Sequence, residues 1–232
     1  MAKRKSKTTE RNVVESHKRK RILEENKILK MVFIVALCMV AGFLLFFFIS
    51  RSFGNFDYRG TSYETVKFCD AGPPCLVTYK TTLPVKVIGN KTYLSQEANK
   101  THDFNFYLRN DPRKLDVNFD GDIAFKKIMV LHPRDDFICD GKGAIAAANL
   151  IQLYKLTATE VITDKNATCD PQQRYIFLDI IPTNKTTSIN EIYPPCYQIN
   201  INGCEILEGT EKFMIETFVR INEILENQSA SS

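Results

Sequence analysis

Met31 to Ser50 reads MVFIVALCMVAGFLLFFFIS, twenty residues without a charge, bounded by Lys30 and Arg51. At 1.5 Å per residue a helix of this length reaches about 30 Å, the thickness of a bilayer's hydrocarbon core. A buried core helix rarely runs apolar all round for so long. A cleaved signal peptide would carry a shorter charged region and a shorter apolar one, although Ser50 and Ser52 form a small-x-small pair. The stretch therefore reads as a signal-anchor helix.

Charge fixes its orientation. Residues 1–30 hold eleven Lys/Arg against four acids, a balance of +7, while the remaining 202 residues carry −3. A basic flank stays cytoplasmic, so residues 51–232 are expected outside a plasma membrane crossed once, as a type II protein. The overall +4 averages two opposite halves and is no sign of nucleic-acid binding. The basic run His17 to Arg21 fits membrane topology, with anionic lipid or a cytoplasmic protein as partner of the tail, better than nuclear import.

Two features agree with this orientation. The five Asn-x-Ser/Thr sequons, at Asn90, Asn99, Asn166, Asn184 and Asn227, all follow the apolar stretch and are candidate glycosylation sites. Cys38 lies inside the stretch, and the other six cysteines, Cys69, Cys75, Cys139, Cys169, Cys196 and Cys204, all lie beyond it. An even number in an oxidising compartment points to three disulfides. Fifteen connectivities exist; closeness in sequence favours Cys69–Cys75 and Cys196–Cys204, leaving Cys139–Cys169 by elimination.

Arg51 to Thr65 has no clear period and reads as a linker; residues 66–232 make one domain's worth of chain. Leu83, Val85 and Val87, then Phe104, Phe106 and Leu108, alternate as half-buried strands do, and Pro84 marks the first as an edge strand. Lys127 to Leu131 is a continuous apolar run expected to be buried on both faces. A loop (132–142), a helix (143–156) and strands at Val161–Ile162 and Tyr175–Ile181 follow, forming a βαβ unit. Tyr197 to Ile201 reads as a last strand. Thr210 then caps a helix whose Met214, Phe218, Ile221 and Leu225 face the core. The expected class is α/β, with α+β as its neighbour: one mixed sheet, β-rich in its first half, and two packed helices.

Three constellations carry chemistry. Asp116, Asn118, Asp120 and Asp122 around Gly121 resemble the start of a calcium loop, but Lys127 stands where the closing carboxylate belongs. A polar turn through Asp120-Gly121 is the plainer reading, and no metal is assigned. Cys139, with His132 seven residues upstream, lies between a buried strand and a helix N-terminus, where a thiolate would be stabilised. In an oxidising compartment a disulfide accounts for it better. His132 with Asp135 and Asp136 offers an imidazole and two carboxylates, or a solvated loop. No phosphate-binding, dinucleotide or serine-hydrolase motif is present in the sequence, and no cofactor is expected.

Tyr107-Leu-Arg-Asn-Asp-Pro-Arg113, Cys139 with its small-residue helix, Cys196-Tyr, Asn202-Gly-Cys204-Glu and Glu211-Lys-Phe resemble segments of uncharacterised single-pass membrane-anchored archaeal proteins with an extracytoplasmic α/β domain. The resemblance runs from Tyr107 onward. It implies an archaeal cell surface outside the membrane and attaches no activity. The leading expectation is a non-enzymatic protein whose outer domain serves binding or envelope assembly with a protein partner. The alternatives are a tethered enzyme using the 132–143 loop, and an assembly factor acting through the basic tail.

Overall fold

A computed structural model describes residues 30–31, 33–46, 54–69, 72–88, 91–95, 102–135, 137 and 139–230. The chain separates into two units, Met1–Phe53 and Gly54–Ser232. In the first, residues 30–31 and 33–46 are helical (α1), and Phe33, Leu37, Phe43 and Phe46 are exposed. No helix among the described residues is long and apolar enough to cross a membrane. Residues 1–29, most of the basic tail, lie outside the described residues.

The second unit has mixed α/β content in two sheets rather than one. The first sheet is antiparallel and joins β1 (Asn55–Tyr58), β2 (Thr61–Phe68), β3 (Leu76–Ile88), β4 (Lys91–Leu94) and β5 (His102–Leu108), with β5 on β3. The stretch expected to be a linker thus supplies β1 and half of β2. Its Phe56 stacks on Tyr63 at 5.5 Å between ring centroids, and the Arg113 guanidinium lies 3.8 Å over the Phe56 ring. These contacts fold it into the sheet.

Pro84 is the second correction, because β3 is the central strand. It pairs with β5 along one edge and with β2 and then β4 along the other. The Pro84 carbonyl accepts from the Ser95 N–H at 3.1 Å, so its missing N–H faces the same edge, at the seam where β2 has ended and β4 begins. A central strand tolerates proline there because no ladder donor is lost.

The second sheet runs β6 (Asn118–Asp120), β10 (Ser188–Tyr193), β11 (Cys196–Asn202), β9 (Ile176–Thr183), β7 (Ile128–Pro133) and β8 (Glu160–Thr163). Only β10 and β11 pair antiparallel. The expected βαβ unit is present: α2 (Lys142–Leu156) links β7 to the parallel β8. Met129 and Leu131 of β7 pack toward the helices, and Val130 packs with Phe177 and Cys196 on the opposite face, so the apolar run is buried on both sides.

Helix α3 (Ile206–Ala230) starts four residues before the expected cap. Thr210 lies inside it, its hydroxyl donating to the Ile206 carbonyl at 2.7 Å. The helix is buried on more than the Met214–Phe218–Ile221 face because three elements meet it. Phe218 packs on Phe106 of the first sheet, while Phe213 packs on Tyr197 of the second and on Tyr154 of α2. Gly209 makes the close approach to the second sheet. A Cβ there would stand 2.6 Å from the Ile201 side chain.

Three disulfides close the unit: Cys69–Cys75, Cys139–Cys204 and Cys169–Cys196. The first agrees with the expectation, and the other two exchange partners. Cys196 is the first residue of the extended strand β11 and Cys204 follows its end, so the strand's length of roughly 20 Å separates them, far beyond the about 7 Å a disulfide bridges.

Candidate functional site

Helices cover one face of the second sheet, and the other carries a polar row. In register across five strands stand His132 on β7, Asp179 on β9, Gln198 on β11, Asn190 on β10 and Asp120 on β6. Four gaps of about 4.8 Å make this row roughly 19 Å long. Beside it runs a second row of Ile181, Asn200, Ser188 and Asn118. Gln198 donates to Asn200 at 2.8 Å, and Asn200 to Ser188 at 3.3 Å. The strand pleat produces this face, since Ile180, Ile199, Ile201 and Ile189 alternate with these residues and point into the core.

The row ends in His132, next to the carboxyl end of β7, where α/β folds gather their sites, and its neighbour in the row is the buried carboxylate of Asp179 in the middle of β9. The side chain of Asp179 is 4% exposed, and its Oδ1 lies 2.9 Å from His132 Nδ1. Arg134 grips both oxygens, Nε to Oδ1 at 3.0 Å and a terminal nitrogen to Oδ2 at 2.6 Å. Hydrogen bonding to Asp179 raises the Arg134 pKa further above its usual value. His132 Nε2 faces the Lys165 carbonyl at 2.9 Å, and the ring stacks on Phe177. Both ring nitrogens are therefore engaged by oxygen acceptors, leaving neither turned to a substrate as a free base. His132 and Arg134 line a cavity of about 360 Å³ together with Pro133, Asp135 and Lys165.

The other expected site residues fall elsewhere. Cys139 lies in a short turn ahead of α2 and is bonded to Cys204, so its thiol is not free to attack. Asp136 is outside the described residues. Asn118 and Asp120 sit on strand β6, and Asp116 and Asp122 flank it. An extended strand spreads alternate oxygens along its length instead of wrapping them around a cation. Among the described residues no three His, Cys, Asp or Glu side chains gather as a metal site would need. The turn at Gly121 is closed by Glu191, which accepts from the Asp122 N–H at 2.9 Å; a Cβ on Gly121 would come within 2.4 Å of the Glu191 Cβ. Asn166, Asn184 and Asn227 are exposed, whereas Asn90 and Asn99 lie outside the described residues.

Asp179, Arg134 and Glu211 were not foreseen. Asp179 had one signal, a lone acid inside the apolar run Ile176–Ile181. Glu211 is 1% exposed on α3 and clasps the loop after β5. Its carboxylate accepts from the Arg109 N–H at 2.6 Å, and from the Asn110 N–H and side-chain amide at 2.9 and 2.8 Å. Burial pushes its pKa up to about 7, against the pull of these donors. Within the same loop Arg113 grips Asp111 through Nε and a terminal nitrogen, at 3.0 and 2.8 Å, which lowers the Asp111 pKa. The segments 107–113 and 211–213 thus meet through one buried acid.

No family model, curated protein or solved structure matches the chain.

Proposed function

We propose that this is a type II single-pass membrane protein, anchored by Met31–Ser50, whose extracytoplasmic domain serves binding or surface assembly through the polar row of its mixed sheet. The pairing of the cysteines carries the reading: all six beyond residue 53 are bonded, while Cys38 in the apolar stretch is free. Such pairing belongs to an oxidising compartment. The exposed sequons at Asn166, Asn184 and Asn227 support the same side, where they would carry glycans. Binding fits the site better than catalysis because the Cys139 thiol and both His132 nitrogens are already engaged.

The test is alkylation of the denatured full chain, followed by mass spectrometry with and without reduction. One reactive thiol before reduction and seven after it are expected. Seven thiols before reduction, from protein purified under non-reducing conditions, would refute an oxidised outer domain.

A further inference from the structure

Strand β5 closes the first sheet on one side. It pairs with β3, and among the described residues no strand pairs with its other edge. Pro84 shows which groups line that edge. Its carbonyl faces the β4 side of β3, so Asp103, which stands opposite Pro84, turns its own N–H and C=O away from β3. By strand alternation the backbones of Asn105 and Tyr107 do the same. The chain beyond β5 leaves these groups open. Glu211 takes the Arg109 N–H just past the strand, and Arg113 then reaches Phe56 on β1, at the sheet's opposite side.

An unpaired edge is a template for another strand, and folded proteins blunt it with short strands, lysine, proline or bulges. The other edge strands here are short: β1, β4 and β8 have four residues each and β6 has three. β5 has seven, His102 to Leu108, without lysine, arginine, proline or glycine. It pairs with β3 without a bulge. Its Asp103, Asn105 and Tyr107 side chains stand exposed on the outward face, and Phe106 and Leu108 are buried on the core face.

The strand is also complementary to itself. Set antiparallel to a second β5 about a two-fold axis at Asn105, it places Asp103 opposite Tyr107, Asn105 opposite Asn105 and Phe104 opposite Phe106. Each pair of odd-numbered residues exchanges two backbone hydrogen bonds, because these are the residues whose N–H and C=O face the open edge. The one acid of the strand meets a phenol and not a second carboxylate, and the phenylalanines meet as cross-strand aromatic pairs. We propose that β5 is a dimerisation edge, joining the first sheets of two copies of this chain into one continuous sheet. Such a contact is isologous and closes at two copies.

The test uses the full-length chain in mild detergent, with mass read by sedimentation equilibrium. Asn105→Lys and Asn105→Glu each set like charges face to face on the axis while leaving the β3 ladder untouched. Each is expected to weaken the dimer by about tenfold or more. An equal mixture of the two should restore it as a heterodimer. A monomeric native chain, a dimer that N105K leaves intact, or a mixture that associates no better than its components would overturn the pairing. Geometry is checked in a Cys38→Ser background, which removes the free thiol. Across the axis the Asn105 Cα atoms stand about 5.5 Å apart, within disulfide reach. Thr82, the exposed β3 neighbour of Asn105, is one strand further out on each side, and its two copies are about 15 Å apart. Mild oxidation should therefore cross-link N105C and spare T82C. Equal cross-linking of both, or none of N105C, would contradict the register.

Discussion

The carboxylate of Asp179 lies 2.9 Å from Nδ1 of His132, directly across from it in the parallel register of β9 and β7. A buried acid in that position ties the middle of β9 to the end of β7, because Arg134 reaches the same group and His132 passes the connection on to the Lys165 carbonyl. Removing one partner strands the others. Asp179→Ala is expected to lower unfolding free energy by about 2–4 kcal/mol, most of it from unpaired polar groups. A double-mutant cycle with His132→Ala should give a coupling of at least about 1 kcal/mol by urea denaturation.

Glu211 makes stability depend on pH. In the unfolded chain it titrates near 4.5 and in the folded protein at about 7, so between these values the folded state holds the extra proton. Its contribution is then fully present below pH 4.5 and is lost as pH rises through 7. The loss is at most about 3 kcal/mol. Urea midpoints from pH 4.5 to 8 should fall more steeply for the native chain than for Glu211→Gln, and equal slopes would contradict the assignment.

The disulfides rank by loop length. With separations of 65, 27 and 6 residues, chain entropy assigns about 4, 3.5 and 2 kcal/mol to Cys139–Cys204, Cys169–Cys196 and Cys69–Cys75. Paired Cys→Ser variants measured by thermal denaturation should follow that order. Cys169–Cys196 departs upward if anything, because Cys196 is fully buried against Val130 and Phe177.

At Gly143 an added Cβ would stand 2.2 Å from the Phe137 carbonyl oxygen, a backbone atom that cannot swing aside. The preceding residues Phe137, Cys139, Asp140 and Gly141 all have positive φ, so the loop enters α2 by one tight path. Gly143→Ala should therefore cost about 1–3 kcal/mol despite alanine's better helix propensity, which calorimetry would detect.

Much of the fold was legible where apolar spacing was regular. The alternation at Leu83–Val85 and at Phe104–Leu108, the run at Lys127–Leu131 and the helix before Thr157 all lie in the expected elements. Strand β10 was not legible because Glu191 occupies an inward position, where it caps the Gly121 turn and breaks the alternation. The β1–β2 hairpin escaped notice because its cohesion comes from contacts distant in sequence. Arg59 pairs with Glu216, and Asn222 donates to Thr61 at 3.0 Å. The site was half legible: His132 stood out as a rare residue type at a strand end, but its partner is forty-seven positions away and only parallel pairing brings it near. The disulfide exchange has the same origin, since closeness along an extended strand is distance in space.

The central claim is the topology, an oxidised domain outside and a basic tail inside. Its most direct measurement is labelling of intact cells with a membrane-impermeant maleimide, using Ser6→Cys and Ser232→Cys variants. The account predicts that S232C reacts with cells intact and S6C only after permeabilisation. Labelling of S6C on intact cells, or of S232C only after lysis, would contradict it.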